Sequence, residues 1–244
     1  MGLFRKKISS DVLLPAVPGA DQELPITADE LVVTTHPRSQ IAEQYRRLRN
    51  SIQALNPDGA SRTVAVTSAV QGEGKSVATL NMALALAEVP NLRVLVIDGD
   101  LQQPSLENYL GLPRCQGVTE VLRGALSLDQ AVRQTSLPGL SLIGAGASPK
   151  NPSQLMGSDR LRSVVHQLKR RFDYVLIDTA PALVINDASL LGAISDGIVM
   201  VIRLGYTPRH LVEQAYNLLE SLGGNVLGTC LTGAAEEDEA AYRR

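Results

Sequence analysis

The chain has 244 residues, 44% of them hydrophobic, enough for one α/β domain with a sizeable core and short appendages. A net charge of −2 and a pI near 6.0 exclude a global electrostatic pull toward nucleic acid or an anionic membrane, and 3% aromatic residues without tryptophan argue against a base-stacking platform. Two cysteines, Cys115 and Cys230, are too few for a disulfide framework or a zinc site; with no apolar run near the ~18 residues of a membrane span and no signal peptide, the expected location is the cytosol.

Residues 1–36, rich in proline, acidic and small side chains, read as a flexible N-terminal segment, with a small basic-apolar tip at residues 1–7 that fits a solvated terminus. Residues 39–55 carry Ile41, Tyr45, Leu48, Ile52 and Leu55 at three- and four-residue spacing, the mark of an amphipathic helix, closed by Pro57-Asp58-Gly59. On the same helix Glu43, Arg46 and Arg49 fall at i, i+3 and i+6 and share one face, a pattern that by itself means exposed ion pairs of a few tenths of a kcal/mol.

Five apolar strand candidates then alternate with helical stretches: strands at 64–67, 94–97, 174–177, 197–202 and 226–231, a weaker one at 140–143, and helices at 75–87, 159–171, 188–193 and 208–222. Strands such as Val94-Leu-Val-Ile97 have no polar face, so the pattern predicts a mostly parallel sheet flanked by helices on both faces. The last residues, 234–244, form an acidic tail holding Glu236-Glu-Asp-Glu239 and the single tyrosine Tyr242.

Between the first strand and the helix at 75–87 lies Ala69-Val-Gln-Gly72-Glu73-Gly74-Lys75-Ser76, which fits a P-loop with alanine at its first position. Such a loop aims backbone N–H groups at phosphate oxygens; its lysine reaches the β/γ-phosphates, its serine ligates Mg²⁺, and the following helix presents its positive end. Gly72, Glu73, Gly74, Lys75, Ser76 and Val77 are therefore the candidate nucleotide-binding residues. Two further strands end in aspartate, Asp98-Gly-Asp100 and Asp178, at the carboxyl ends outside which ligands of open α/β folds sit. A lone aspartate after a strand is as readily a helix cap or turn residue. Three carboxylates at two strand ends beside a P-loop point instead to Mg²⁺ and phosphate chemistry, with Ser76, Asp98 or Asp100, and Asp178 as the oxygen donors and one of the Asp98/Asp100 pair left over as a general base.

These residues together resemble the bacterial tyrosine kinases of capsule and exopolysaccharide synthesis. The resemblance, over residues 36 to 232, rests on Ser68-Ala69 to Ser76, on Val94 to Pro104 as a second Walker motif, on Asp178-Thr-Ala-Pro181, on Glu43-x-x-Arg46-x-x-Arg49, and on Asn151-Pro152-x-x-Leu155 and Arg203-x-Gly205-x-Thr207-x-Arg209. It implies a P-loop NTPase of the deviant-Walker (Mrp/Min-like) type in residues 37–233, with an oligomerisation helix at 37–56. It implies ATP and Mg²⁺ bound through Lys75 and Ser76, Asp98 and Lys75 as catalytic residues with Asp98 the base, and Asp100 and Asp178 as metal-associated aspartates. It also implies a ring of copies built through Glu43, Arg46 and Arg49, transfer to a neighbour's C-terminal tail with Tyr242 as the acceptor, and recruitment to the inner face of the plasma membrane by the cytoplasmic segment of a polysaccharide co-polymerase, with no nucleic-acid partner.

The chain departs from that pattern in several places. The usual proline before the P-loop glycine is Gln71, the usual threonine after Lys-Ser is Val77, and the first proline after the Walker B threonine is Ala180. The arginines usual after Asp100 are Gln102 and Gln103, the usual late asparagine is Thr232, and the tail carries one tyrosine rather than a cluster. These departures leave two alternatives beside the kinase: an ATP-binding assembly regulator of the co-polymerase with little phosphotransfer, and a Par-like positioning ATPase, which the missing Min/Par lysine near the start of the P-loop disfavours.

Overall fold

The computed structural model describes residues 14–15, 28–184 and 194–234. Seven strands form one sheet in the order β3-β4-β2-β5-β1-β6-β7: β1 Arg62–Ser68, β2 Val94–Asp98, β3 Arg133–Gln134, β4 Leu140–Ile143, β5 Tyr174–Asp178, β6 Gly197–Arg203 and β7 Val226–Thr232. Among the described residues only β3, a two-residue edge, runs antiparallel to its neighbour; every other pairing is parallel. The five expected strands and the weaker sixth all form within two residues of their expected ends, and β3 is the addition.

Alternate strand residues divide between two cores, as a period of two requires. Val64, Val66, Val94, Val96, Leu140, Leu142 and Leu176 face α3 (Lys75–Ala87) and α2 (Gln40–Ala54). Leu95, Ile97, Ile143, Val175 and Ile177 face α5 (Val118–Arg123) and α8 (Asp159–Lys169). Ala65, Ile198 and Met200 meet Ala215 and Leu219 of α9 (Arg209–Ser221) on that second face. The α3 helix is buried almost all round because the sheet covers one side and α2 the other. Ser39 starts α2 by accepting the Ala42 N–H at 3.1 Å.

Three short helices, α4 (Leu106–Tyr109), α6 (Leu128–Ala131) and α7 (Pro152–Met156), fill the connections around β2 to β5. The expected boundary of the flexible N-terminal segment at residue 36 is too late. Residues 28–36 are held: α1 (Val32–Thr35) lies against α2 and α3, and Leu31 and Val33 are buried. Asn81, wholly buried in α3, accepts the Val33 N–H at 3.1 Å and donates to the Glu30 carbonyl at 2.8 Å. The expected helix at 188–193 and the tail with Tyr242 lie outside the described residues.

Candidate functional site

The carboxyl ends of β1, β2 and β5 meet over the start of α3. Gly72 and Gly74 have φ of 81° and 84°, left-handed values that a side chain resists and glycine adopts freely. Gly74 is the N-cap of α3, with no side-chain cap, so the helix opens with free N–H donors and the positive end of its dipole. Lys75 and Ser76 follow in the first turn, Lys75 almost buried, with Val77 behind them.

Asp98 and Asp178 end β2 and β5 as direct partners in the parallel register, which places two buried carboxyls side by side. The Asp178 Oδ2 accepts from the Ser76 hydroxyl at 2.5 Å. Asp98 Oδ2 accepts the Ser105 and Leu106 N–H groups at 3.0 and 3.1 Å, tying it to the start of α4. The other oxygen of each carboxyl, Asp98 Oδ1 and Asp178 Oδ1, is buried with no hydrogen-bond partner among the described residues, the Thr79 hydroxyl being near enough only to favour the Asp178 charge weakly. A buried acceptor without a partner costs about 1–3 kcal/mol, so two side by side mark a place prepared for a proton or a cation.

Burial pushes the Asp178 carboxyl up to about 6, with the Lys75 ammonium and the Ser76 hydroxyl pulling it down and the Asp100 charge pushing it further up. Burial also raises Asp98 well above the ordinary carboxylate range, reinforced by the Asp178 charge, while the Leu106 and Ser105 amides oppose the rise. Asp100 is within electrostatic reach of both, but its Oδ1 accepts the Gln103 N–H at 3.0 Å. Among the described residues no three or more His, Cys, Asp or Glu side chains surround one point. The expected carboxylate shell is thus not preassembled: Asp98 and Asp100 each give an oxygen to a local turn, and the preformed part is Ser76 with Asp178. That suits Mg²⁺, which takes one or two carboxylates and completes its octahedron with water and phosphate. The open α3 amides, Lys75, and the orphan Asp178 oxygen beside Ser76 fit a nucleotide with its Mg²⁺.

Glu73 sits in the loop as expected, but its side chain turns away from the open face. Its carboxylate is fully buried and accepts from Val70 N at 2.7 Å, from the Thr207 hydroxyl at 2.6 Å and from Arg203 N at 3.4 Å. Only its backbone is left for a ligand. Arg203 and Thr232 also brace the loop; the sequence had singled out Arg203 as part of a motif and Thr232 as a departure, without giving either this role.

Arg46 and Arg49 are engaged within the chain. The Arg46 guanidinium forks onto both oxygens of Glu88 at 2.8 and 2.7 Å and donates to the Pro37 carbonyl at 2.7 Å. Arg49 donates to the Ala85 carbonyl at 3.1 Å and to Glu88 at 3.3 Å. Both cations thus sit over the C-terminal end of α3, where its dipole favours them. The i,i+3 ion pair of Glu43 with Arg46 is the looser contact, at 3.6 Å, and Glu43 stays exposed.

A parallel sheet, a strand–glycine loop–helix unit and a Ser–Asp pair at adjoining strand ends define a P-loop nucleotide-binding domain. The family described as an AAA domain matches residues 61–225. Tyrosine-protein kinase YwqD of Bacillus subtilis (strain 168) is 32% identical over 212 residues, covering 87% of this chain and 89% of that protein. The kinase domain of Escherichia coli tyrosine kinase ETK superposes with a TM-score of 0.80 at 27% identity, over 84% of this chain and 80% of that one. The septum site-determining protein MinD from Pyrococcus horikoshii, complexed with Mg-ADP, gives a TM-score of 0.62 at 25% identity, over 75% and 76% of the two chains. The chain belongs to the bacterial tyrosine-protein kinase family, on a Min-like P-loop fold. No helix among the described residues is long and apolar enough to cross a membrane.

Proposed function

We propose that the chain is an ATP-dependent protein-tyrosine autokinase of capsule or exopolysaccharide synthesis, transferring the γ-phosphoryl group to Tyr242 in the tail of a neighbouring copy. The observation that carries the reading is the pair of unpartnered buried oxygens, Asp98 Oδ1 and Asp178 Oδ1, beside Ser76 and Lys75 at the mouth of the P-loop.

Loop amides and Lys75 would hold the phosphates, and Ser76 and Asp178 would hold the Mg²⁺, with the Asp100 charge felt by both aspartates. When bound, Mg²⁺ neutralises charge on the transferring group. Asp98 does the chain's proton work. Its Oδ2 is locked on the Ser105 and Leu106 amides, which aims the free Oδ1, and burial beside Asp178 raises its proton affinity. A carboxylate with raised proton affinity accepts a hydroxyl proton better than an ordinary aspartate does. The tyrosine oxygen bonds to phosphorus, the bond to the β-phosphate oxygen breaks, ADP leaves, and the phenolic proton goes to Asp98.

The ring-forming role of Glu43, Arg46 and Arg49, the co-polymerase partner and recruitment to the membrane's inner face belong to the same proposal, supported by family membership. A second reading, an ATP-binding assembly regulator with little phosphotransfer, is favoured by one feature: Gln102 and Gln103, where the resembled pattern usually has arginines, are exposed and neutral. The two are separated by intact mass after treatment with ATP and Mg²⁺, with and without the partner's cytosolic segment. A phosphate on wild type that is absent from Tyr242→Phe supports the kinase. Strong ATP binding with assembly and no phosphotyrosine replaces it with the second reading.

A further inference from the structure

We propose that Glu73 is a positioning residue which, with Arg203, Thr207 and Thr232, sets the direction of the P-loop amides and links nucleotide affinity to the segment between β6 and α9. The inference rests on the nucleotide-binding reading of the loop and concerns residues that do not themselves touch the ligand.

In a trans peptide the carbonyl of one residue and the N–H of the next point in opposite directions. Arg203 Nη1 donates to the Gly72 carbonyl at 3.0 Å, so the Glu73 N–H is turned away from Arg203. The Thr232 hydroxyl donates to the Glu73 carbonyl at 2.7 Å, so the Gly74 N–H is turned away from Thr232. Two successive amides are thereby aimed away from the β6–β7 side of the loop by bonds from outside it. The Glu73 carboxylate fixes the same turn from within: Oε2 takes the Val70 N–H, which removes that amide from the set open to a phosphate, and Oε1 takes the Thr207 hydroxyl and the Arg203 N–H. A wholly buried carboxylate with three donors is expensive to assemble without a purpose, and its loss leaves all three donors unpaired. Tyr206 completes the brace from above: its Oη lies 3.2 Å from where a Cβ on Gly72 would stand, and the Arg203 guanidinium stacks 5.1 Å from its ring centre.

Two carbonyl anchors and one internal acid thus hold a loop whose two left-handed glycines leave it little rigidity of its own. Displacing residues 203–207 withdraws three of these bonds at once, so whatever grips that segment also alters the phosphate site.

The test measures fluorescent mant-ADP binding with Mg²⁺, ATP KM and kcat, and ligand-free Tm on the full chain. Thr232→Val and Thr207→Val keep shape and remove one donor each. Each is expected to weaken mant-ADP about tenfold and raise KM while kcat changes far less, since the phosphate cradle serves ground and transition states alike. Glu73→Ala is expected to lose more, and Glu73→Gln to recover part of that loss, because its carbonyl accepts the Val70 N–H and its amide donates to the Thr207 oxygen, while the long Arg203 N–H bond is given up. Threonine variants that lower Tm yet bind mant-ADP like wild type would overturn the inference and leave the nucleotide reading standing. Wild type that does not bind mant-ADP at all, or binds it equally well as Lys75→Met, would overturn both.

Discussion

Asp178→Asn tests the electrostatics of the site most directly. The side chain is fully buried and its carboxyl titrates near 6, against an ordinary 3.8, chiefly through burial. That gap amounts to about 3 kcal/mol, with the opposing pull of Lys75 already contained in it. Because the folded-state value is raised, the folded chain binds the proton more readily than the unfolded chain. The contribution is fully favourable below the unfolded value of 3.8 and is lost as pH rises through about 6. Asparagine keeps the acceptor for the Ser76 hydroxyl and carries no charge to bury. Ligand-free Asp178→Asn should therefore match wild type near pH 4 and exceed it by up to about 3 kcal/mol at pH 8, a Tm gain of roughly 6–12 °C for a chain of this size. Urea denaturation across that pH range, without nucleotide, measures the difference directly. Mg²⁺ with ADP at about a hundred times its Kd should add ~2.7 kcal/mol to wild type and far less to the variant, because the metal partner is gone. A variant less stable than wild type at pH 8, or two stability curves that run parallel from pH 4 to 8, would refute the assignment of Asp178 as a charge held at a cost for its ligand.

Asp98→Asn should retain mant-ADP binding and lose about 10²–10⁴ in phosphotransfer rate, measured by phosphotyrosine formation under saturating ATP; transfer at the wild-type rate removes Asp98 as the base. Lys75→Met should abolish mant-ADP binding while the circular dichroism spectrum is unchanged, and unaltered affinity would refute the P-loop assignment. Glu88→Gln removes the charge and one of the two acceptors for Arg46 and Arg49 and should lower stability by about 1 kcal/mol, or ~2–4 °C in Tm; no change would mean that the charge of Glu88 contributes nothing to docking α2 on α3.

The sheet was legible in the sequence because its central strands are apolar on both faces: Val94-Leu-Val-Ile97 and Tyr174-Val-Leu-Ile177 have nowhere else to go. The P-loop was legible because Gly72 and Gly74 occupy positions that only glycine accepts easily. β3, α4, α6 and α7 were not, since each spans two to five residues and offers no period to detect. The capture of residues 28–36 was hidden for another reason: it depends on Asn81, a polar residue in an otherwise apolar helix, whose partners lie about 50 positions away. Within the site, Asp98, Asp178 and Ser76 came together as expected, whereas Asp100 is drawn to Gln103 N and the Glu73 side chain is turned inward. Periodicity locates backbones; it does not say which way a short polar side chain turns once a turn amide competes for it.

The shared hold of Glu88 on two arginines has a consequence for any encounter at this helix. A second molecule that seeks Arg46 or Arg49 must first win it from an acid already in place. Such an association is an exchange of one charge contact for another, with a free-energy change near zero for the swap itself, so modest influences elsewhere would be able to tip it in either direction.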